Sequence, residues 1–242
     1  MKQLVGYLTP KVPSLEFTID LANALFDAGM DSLEIGVPFS DPVADGEVIE
    51  KAGHIALANG FLFADSLTIA NALKPRGKKL YLMGYMNCFL HRGADRAAAE
   101  MDSNGIAAAL IPDLSFEEAQ KYSQTLPLIT FVAPTTPKDR VAKIVKNSRE
   151  FIYLVAYAGV TGKSQSEDLA QTIAWVREAT PTPVFVGFGV RRDTAKERVK
   201  GADGVIVGSE FVRVLLDDSL NSAQKIAKIT AEAKAIKELI NE

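Results

Sequence analysis

A glutamate interrupts an apolar stretch of the sequence. Glu34 lies in the run LEIGV, whose residues are typical of a strand buried on both faces. A carboxyl group in such a strand loses its hydration, so either a cation pairs with it or its pKa rises toward the range useful for proton transfer. An ion pair with a Lys or Arg of a neighbouring strand is the structural alternative, although the predicted strands contain no Arg. Glu34 is therefore a candidate general acid or base.

A long polar loop, PFSDPVADGEVIE at residues 38–50, follows that strand and includes Asp41, Asp45 and Glu47. The segment DPVADG is rich in turn-forming residues, and an aspartate directly before Gly46 suits a turn. The local sequence alone therefore favours a structural role for Asp45, and the same interpretation applies to Asp41.

Glycines cluster late in the sequence, each group at or just after the end of an apolar run. They occur in GVTG at residues 159–162, in GFG at residues 187–189, and at Gly208 before Ser209. Glycine permits close backbone approach to a ligand, and N–H groups at the start of a following helix bind anions without Lys or Arg. Each group alone is compatible with a simple turn. Their coincidence on consecutive loops predicts a phosphate cradle.

The elements that must position these residues are eight short apolar runs, which alternate with segments of helical spacing. Runs such as IAAALI and FIYLVA have no polar alternation, which indicates a parallel sheet covered by helices. The predicted strands are residues 4–8, 33–37, 80–85, 106–111, 126–132, 151–156, 184–189 and 204–208. The predicted helices include residues 18–28, 115–124, 138–146, 167–179 and 222–240.

Eight strand–helix repeats without a Pro-, Gly- or Ser-rich linker predict an α/β fold with a single domain over residues 1–242, a (β/α)8 TIM barrel. A doubly wound open sheet is the structural alternative. The amphipathic segment at residues 222–240 is expected to be the last barrel helix, although a partner-binding helix would show the same stripe. Active sites of such barrels lie at the C-terminal ends of the strands, where the polar loop and the glycines fall.

The composition argues against several functional classes. A formal net charge of -3 provides no basic field for nucleic acid, and no apolar run approaches the roughly 20 residues that span a bilayer. The first residues contain no signal-peptide core, so we expect a cytoplasmic protein without membrane contact. Cys88 is the only cysteine, which excludes an intrachain disulfide. With His54 and His91 as the only histidines, no metal site is expected.

Taken together, these residues resemble the tryptophan synthase alpha subunit family. The most specific block is LEIGVPFSDPVADG at residues 33–46, which matches that family's signature loop. Further matching motifs occur in the family's order over nearly the whole chain: GYMN (84–87), IPDL (111–114), FVAPTTP (131–137), YLVAYAGVTG (153–162), GFGV (187–190) and DGVIVGS (203–209).

The resemblance implies a carbon–carbon lyase that cleaves indole-3-glycerol phosphate to indole and glyceraldehyde 3-phosphate by a retro-aldol reaction, in tryptophan biosynthesis. By analogy, Glu34 is the general acid/base. Asp45 accepts the indole N–H and stabilises the positive charge that develops there, a role that replaces its interpretation as a turn residue. Neither step requires a metal or a bound cofactor.

The resemblance also implies which residues bind the substrate. The pocket-lining residues would be Tyr153, Met83, Leu110, Val132, Phe188 and Thr161, and the phosphate ligands Gly162, Gly189, Gly208 and Ser209. The segment at residues 159–166 would be a lid over the site.

In the family the alpha subunit binds a beta subunit, which carries pyridoxal phosphate and receives indole through a tunnel, in an alpha2beta2 assembly. The loop with Pro38, Asp41 and Pro42 would lie at that interface. A free-standing lyase, a non-catalytic barrel that only regulates the beta subunit, and another phosphate-binding barrel such as an isomerase or prenyl transferase are the rival interpretations. An intact Glu34, Asp45 and Tyr153 argue against a pure binding module, which needs no buried carboxyl group.

Three features depart from the family pattern. The sequence reaches the first strand almost at once, without the helix that usually plugs the barrel bottom. Ala156 and Tyr157 stand where the family usually has Ser and Arg, and Arg191 stands where it usually has Ser. Arg191 would add positive charge near the phosphate.

Overall fold

The computed structural model describes residues 1–156 and 165–242, with only the backbone described at residues 165–168. Eight parallel strands form one sheet. The strands are β1 (Gln3–Leu8), β2 (Ser32–Gly36), β3 (Lys79–Met83), β4 (Ile106–Leu110), β5 (Thr130–Val132), β6 (Ile152–Val155), β7 (Val184–Gly187) and β8 (Gly204–Val207).

Helices follow the strands in the connections that the structure describes. They are α1 (Leu15–Asp27), α2 (Glu47–Ala58), α3 (Phe63–Leu73), α4 (Met86–Arg92), α5 (Ala94–Ser103), α6 (Phe116–Tyr122), α7 (Lys138–Val145), α8 (Gln165–Ala179), α9 (Ala195–Arg198), α10 (Ser209–Leu215) and α11 (Ser222–Leu239). Side-chain N-caps begin several of them, since Ser14, Ser115 and Asn221 each accept a hydrogen bond from a backbone N–H in the first turn.

The strands lie in the order β4-β3-β2-β1-β8-β7-β6-β5, which leaves a seam between β4 and β5. One parallel bridge, Ala109 to Leu128, crosses the seam. There the Ala109 N–H donates to the Pro127 carbonyl at 2.8 Å, and the Ile129 N–H donates to the Ala109 carbonyl at 2.9 Å. The sheet is therefore a nearly closed barrel. The predicted TIM barrel is confirmed, and the open doubly wound alternative is wrong.

Two predicted bounds differ by four residues from those of the structure. The fifth strand was predicted from residue 126, but β5 begins at Thr130, because Pro127 has no N–H to donate to a ladder. The predicted polar loop ends at Gly46 rather than at residue 50, since Glu47 already begins α2. Its carboxylate, which the sequence placed in the loop, lies in the first helical turn, where negative charge is favourable.

Outward-facing strand residues pack against the helices, and α11 belongs to this outer layer. Ile229, Ala233 and Ile236 of α11 are buried in the same cluster as Leu4 and Leu25. This burial confirms α11 as a barrel helix. In the described part of the chain no single helix is long and apolar enough to cross a membrane, although α2 and α3 pass that test together as one bent pair.

Aromatic side chains fill the barrel interior near the N-terminal ends of the strands. Phe151 stacks on Phe185 with ring centroids 4.6 Å apart and meets Tyr81 edge-on at 5.2 Å. Glu150 accepts hydrogen bonds from the Tyr81 hydroxyl at 3.3 Å and from Lys79 Nζ at 3.0 Å. This aromatic layer closes the barrel below the site.

Truncation of this layer is expected to destabilise the whole barrel. Phe151 is fully buried, so Phe151→Ala should lower the free energy of unfolding by about 3–5 kcal/mol, measured by urea denaturation. Leu90→Ala, at a side chain that is 48% exposed, is the matched control and should cost far less. A loss below about 1 kcal/mol in Phe151→Ala would show that the layer does not support the fold.

Candidate active site

A cavity of about 140 Å³ opens at the C-terminal ends of the strands. It brings together most of the residues singled out in the sequence, namely Glu34, Asp45, Met83, Tyr153, Phe188, Gly189, Gly208 and Ser209. Tyr7, Ile49, Val190, Arg191, Ile206 and Arg213 complete its lining. Glu34 of β2, Asp45 of the loop after it and the glycines after β7 and β8 therefore face one space.

Glu34 lies in the wall of this cavity, in the middle of β2. Its neighbours across the sheet are Tyr7 of β1 and Tyr81 of β3, and its side chain is 1% exposed. Among the described residues its Oε1 atom has no hydrogen-bond partner, and burial raises the pKa of the carboxyl group to about 8. No Lys or Arg of the described residues pairs with it, so the ion-pair alternative is not supported there.

Asp45 reaches the cavity from the loop after β2, and Tyr85 holds that loop in place. The Tyr85 hydroxyl accepts from the Ala44 N–H at 3.1 Å and hydrogen-bonds the Asp45 carboxyl group. Burial raises the pKa of Asp45 to about 6, against a lowering effect of the Tyr85 hydrogen bond. The rings of Tyr85 and Phe39 lie 5.5 Å apart and fix the loop further. The sequence analysis missed Tyr85 as a positioning residue, although it lies within GYMN.

Two buried tyrosines flank Glu34, and glycines on the neighbouring strands make room for them. Burial and the nearby carboxyl groups raise the pKa of Tyr7 and Tyr153 well above the usual range. A Cβ atom at Gly36 would lie 2.6 Å from the Tyr7 hydroxyl, and one at Gly187 would lie 2.2 Å from that of Tyr153. Both glycines are therefore required for close approach. Tyr7 was not predicted; only its position near the end of the first strand could have indicated it.

The glycines after β7 and β8 line the same cavity. Gly189 has a φ of +67°, and a Cβ atom placed there would meet nothing within 4 Å, so its backbone faces open space. Gly208 lies against Tyr7 at the start of α10, followed by Ser209. The backbone at Gly189 and Gly208 is therefore accessible from the cavity, as a phosphate-binding site would require. Gly162, Thr161 and the rest of the predicted lid lie outside the described residues, as does Tyr157.

Only some of the residues predicted to line the indole pocket lie at the cavity. Met83 and Phe188 line the cavity, and Leu110 is buried inside the barrel without lining it. Val132 instead packs in the outer cluster with α7 and α8, so the wall prediction for it is corrected. Successive strand residues point to opposite faces, and it is Phe131 that faces inward, stacked on Tyr153 at 4.8 Å.

The predicted interface residues lie on the rim of the loop after β2. Pro38 and Pro42 border a narrow recess next to Asp45, and Asp41 is exposed. Val43, directly after Pro42, is 79% exposed. Among the described residues, no group of three or more His, Cys, Asp or Glu side chains is placed to hold a metal ion.

One cavity of this TIM barrel holds a desolvated carboxyl group, a second carboxyl group and a glycine-lined recess. These features are typical of the barrels that bind a small molecule at the C-terminal face. The sequence model of the tryptophan synthase alpha chain matches residues 1–241. The chain therefore belongs to the tryptophan synthase alpha chain family, a family of enzyme subunits.

Relatives and solved structures agree with this assignment. The tryptophan synthase alpha chain of Wolinella succinogenes is 47% identical over 100% of this chain and 96% of its own, and that of Chloroflexus aggregans is 40% identical over 98% and 91%. The tryptophan synthase subunit alpha of Campylobacter jejuni superposes with a TM-score of 0.84 at 34% identity, covering 96% of this chain and 95% of its own. A Mycobacterium tuberculosis tryptophan synthase structure gives 0.88 at 32%, covering 100% and 93%.

The raised pKa of Glu34 predicts a pH dependence of stability. Below its ordinary value of 4.5 the carboxyl group is protonated in both states, so burial of the charge costs nothing. As pH rises toward the folded pKa of about 8, only the unfolded state loses the proton freely, and the free energy of unfolding falls. Glu34→Gln removes this penalty, so its melting temperature should increasingly exceed that of the wild type between about pH 5 and pH 9.

Glu238→Gln, at an exposed carboxylate of α11, is the matched control and should follow the wild type at every pH. A constant difference in melting temperature between wild type and Glu34→Gln across this range would contradict the raised pKa.

Proposed function

We propose that the protein cleaves indole-3-glycerol phosphate to indole and glyceraldehyde 3-phosphate by a retro-aldol reaction. The observation that carries the proposal is the buried Glu34 carboxyl group, which faces the same cavity as Asp45 and whose Oε1 atom has no partner in the described part of the chain. Such a group destabilises the fold, because a buried polar atom without a hydrogen bond has lost its hydration and gained no partner in exchange. A substrate that exchanges protons with it gives it a use.

Glu34 can serve both proton transfers of this reaction. With a pKa of about 8 the carboxyl group is mostly protonated at neutral pH and can donate a proton to indole C3. The resulting carboxylate then accepts the proton of the glycerol hydroxyl next to the breaking bond. The electrons of the C–C bond return to the indole ring, an aldehyde forms, and Glu34 regains its proton.

Asp45 suits a different role, because its environment gives it a different pKa. At about 6, that pKa leaves the carboxyl group mostly ionised at neutral pH. Its charge would accept the indole N–H and stabilise the positive ring that forms when C3 is protonated. In enzymes, two carboxyl groups in one cavity often have different pKa values, so that one acts as an acid and the other as an anion.

The remaining contacts are assigned by analogy with the family and by their position in the cavity. Met83, Phe188 and Tyr153 would contact the indole and the glycerol chain, and Leu110 and Thr161 stay predictions. The backbone at Gly189, Gly208 and Ser209, with Gly162, would bind the phosphate. The chain's own residues supply every proton transfer in this scheme, and pyridoxal phosphate is expected only in a beta subunit.

We also propose that the chain binds a tryptophan synthase beta subunit, in an alpha2beta2 assembly, through the loop with Pro38, Asp41 and Pro42. The exposed Val43 of this loop offers apolar surface for docking. Because the same loop carries Asp45, docking there would order a catalytic group. A free-standing lyase is the alternative.

Substitution of the two carboxyl groups tests the proposed reaction. Glu34→Gln keeps the shape of the side chain but cannot transfer a proton, so kcat should fall by about 10²–10⁴-fold with KM nearly unchanged. Asp45→Asn keeps an acceptor but loses the charge, so kcat should fall by about 10²–10³-fold. Indole release is the assay, and Glu47→Gln at the exposed start of α2 should retain full activity. A loss below about tenfold in Glu34→Gln would remove this residue from the role.

Addition of the beta subunit tests the partner. Indole release from indole-3-glycerol phosphate should be slow for the chain alone and faster with the beta subunit from the same source. Val43→Asp should reduce this activation, and Leu62→Asp, at a side chain that is 67% exposed outside the loop, should not. Equal rates with and without the beta subunit would favour the free-standing lyase.

A further inference from the structure

The cavity is electrically bipolar. Glu34 and Asp45 lie in the wall formed by β2 and its loop, whereas Arg191 and Arg213 line the cavity together with Gly189, Gly208 and Ser209, from the segments after β7 and β8. The acidic partners of these arginines do not line the cavity. A ligand that fills the cavity therefore meets positive charge near Gly189 and Gly208. The backbone of these glycines is neutral and would not provide that charge by itself.

Arg191 is built into the same turn as the glycine cradle. The Thr194 hydroxyl accepts from the Arg191 N–H at 2.9 Å and donates to the Gly189 carbonyl at 3.1 Å. One side chain thus ties together the backbone of both residues. The position of Arg191 relative to the recess is fixed by this turn, so only its side chain has to move to reach a ligand at Gly189.

The present partner of the Arg191 guanidinium is replaceable. Its Nε and Nη2 atoms each lie 3.1 Å from a carboxylate oxygen of Asp193, two residues along the chain. The two side chains are 51% and 69% exposed, and ion pairs this exposed contribute little to stability. Arg213 is held by the less exposed Glu210 at 2.9 Å, which makes Arg191 the freer of the two.

We propose that Arg191 is a phosphate-binding residue, which exchanges Asp193 for the phosphate group of the substrate. The planar guanidinium group would bind two phosphate oxygens at once, while the backbone at Gly189 and Gly208 holds the others. This assignment deepens the proposed function and rests on it, since it requires a phosphorylated substrate. It gives the site a preference for the dianion over a neutral analogue of the same shape.

The first test is the binding of inorganic phosphate to the whole chain, measured by titration calorimetry without any turnover. Arg191→Ala should weaken binding by about 10- to 100-fold, the usual range for a lost hydrogen bond to a charged group. Arg192→Ala is the matched control, because this neighbour lies 3.9 Å from Glu232 and does not line the cavity. It should bind phosphate as the wild type does.

Asp193 provides a test of opposite sign. If Asp193 competes with phosphate for the guanidinium group, Asp193→Ala should strengthen phosphate binding, and this gain should disappear in the double variant with Arg191→Ala. A merely structural role of the pair would weaken binding in both single variants. With indole-3-glycerol phosphate, Arg191→Ala should raise KM with kcat nearly unchanged, and Arg191→Lys should recover part of the loss.

The outcomes separate the two proposals. If the wild type cleaves indole-3-glycerol phosphate but Arg191→Ala shows an unchanged phosphate affinity and KM, the assignment of Arg191 is overturned and the proposed function stands. If phosphate binds through Arg191 but no cleavage occurs, the proposed function fails while the phosphate site remains.

Discussion

One carboxyl group is buried in the wall of the barrel without a counter-ion among the described residues, and much of the site is arranged around it. An ionised Glu34 would be destabilising in this position, so burial raises the pKa of the carboxyl group to about 8 and favours its neutral form. The two neighbouring tyrosines, Tyr7 and Tyr153, are buried as well, and burial raises the pKa of each phenol. The glycines at positions 36 and 187 exist at these places because the phenol rings leave no space for a side chain.

The second carboxyl group differs because it sits on a loop rather than in a strand. Asp45 is partly exposed and receives a hydrogen bond from Tyr85, which opposes the effect of burial on its pKa. The result is two groups of the same chemistry, of which one holds its proton at neutral pH and the other does not. Arg191 and Arg213 line the same cavity and bring positive charge to it.

The sequence predicted what depends on local pattern and missed what depends on register. Apolar runs identify the strands, and a carboxyl group inside one of them identifies Glu34, because burial of the strand follows from its own residues. Asp45 could not be recognised from DPVADG alone, and only the family resemblance suggested its role. The contribution of Tyr7 follows from its pairing with Glu34 across two strands, which no local pattern encodes. Val132 and Phe131 show the same limit, since a change of one residue moves a side chain to the other face.

The account therefore depends on the protonation state of Glu34, which NMR measures directly. In a chain with ¹³C-labelled glutamate, the side-chain carboxyl signal of Glu34 is identified by its loss in Glu34→Gln and followed as a function of pH. We expect this signal to titrate with a midpoint near pH 8, well above the ordinary glutamate value of 4.5. A Glu34 midpoint close to 4.5 would mean that water or a cation reaches the carboxyl group, and it would contradict the role of Glu34 as the proton donor at neutral pH.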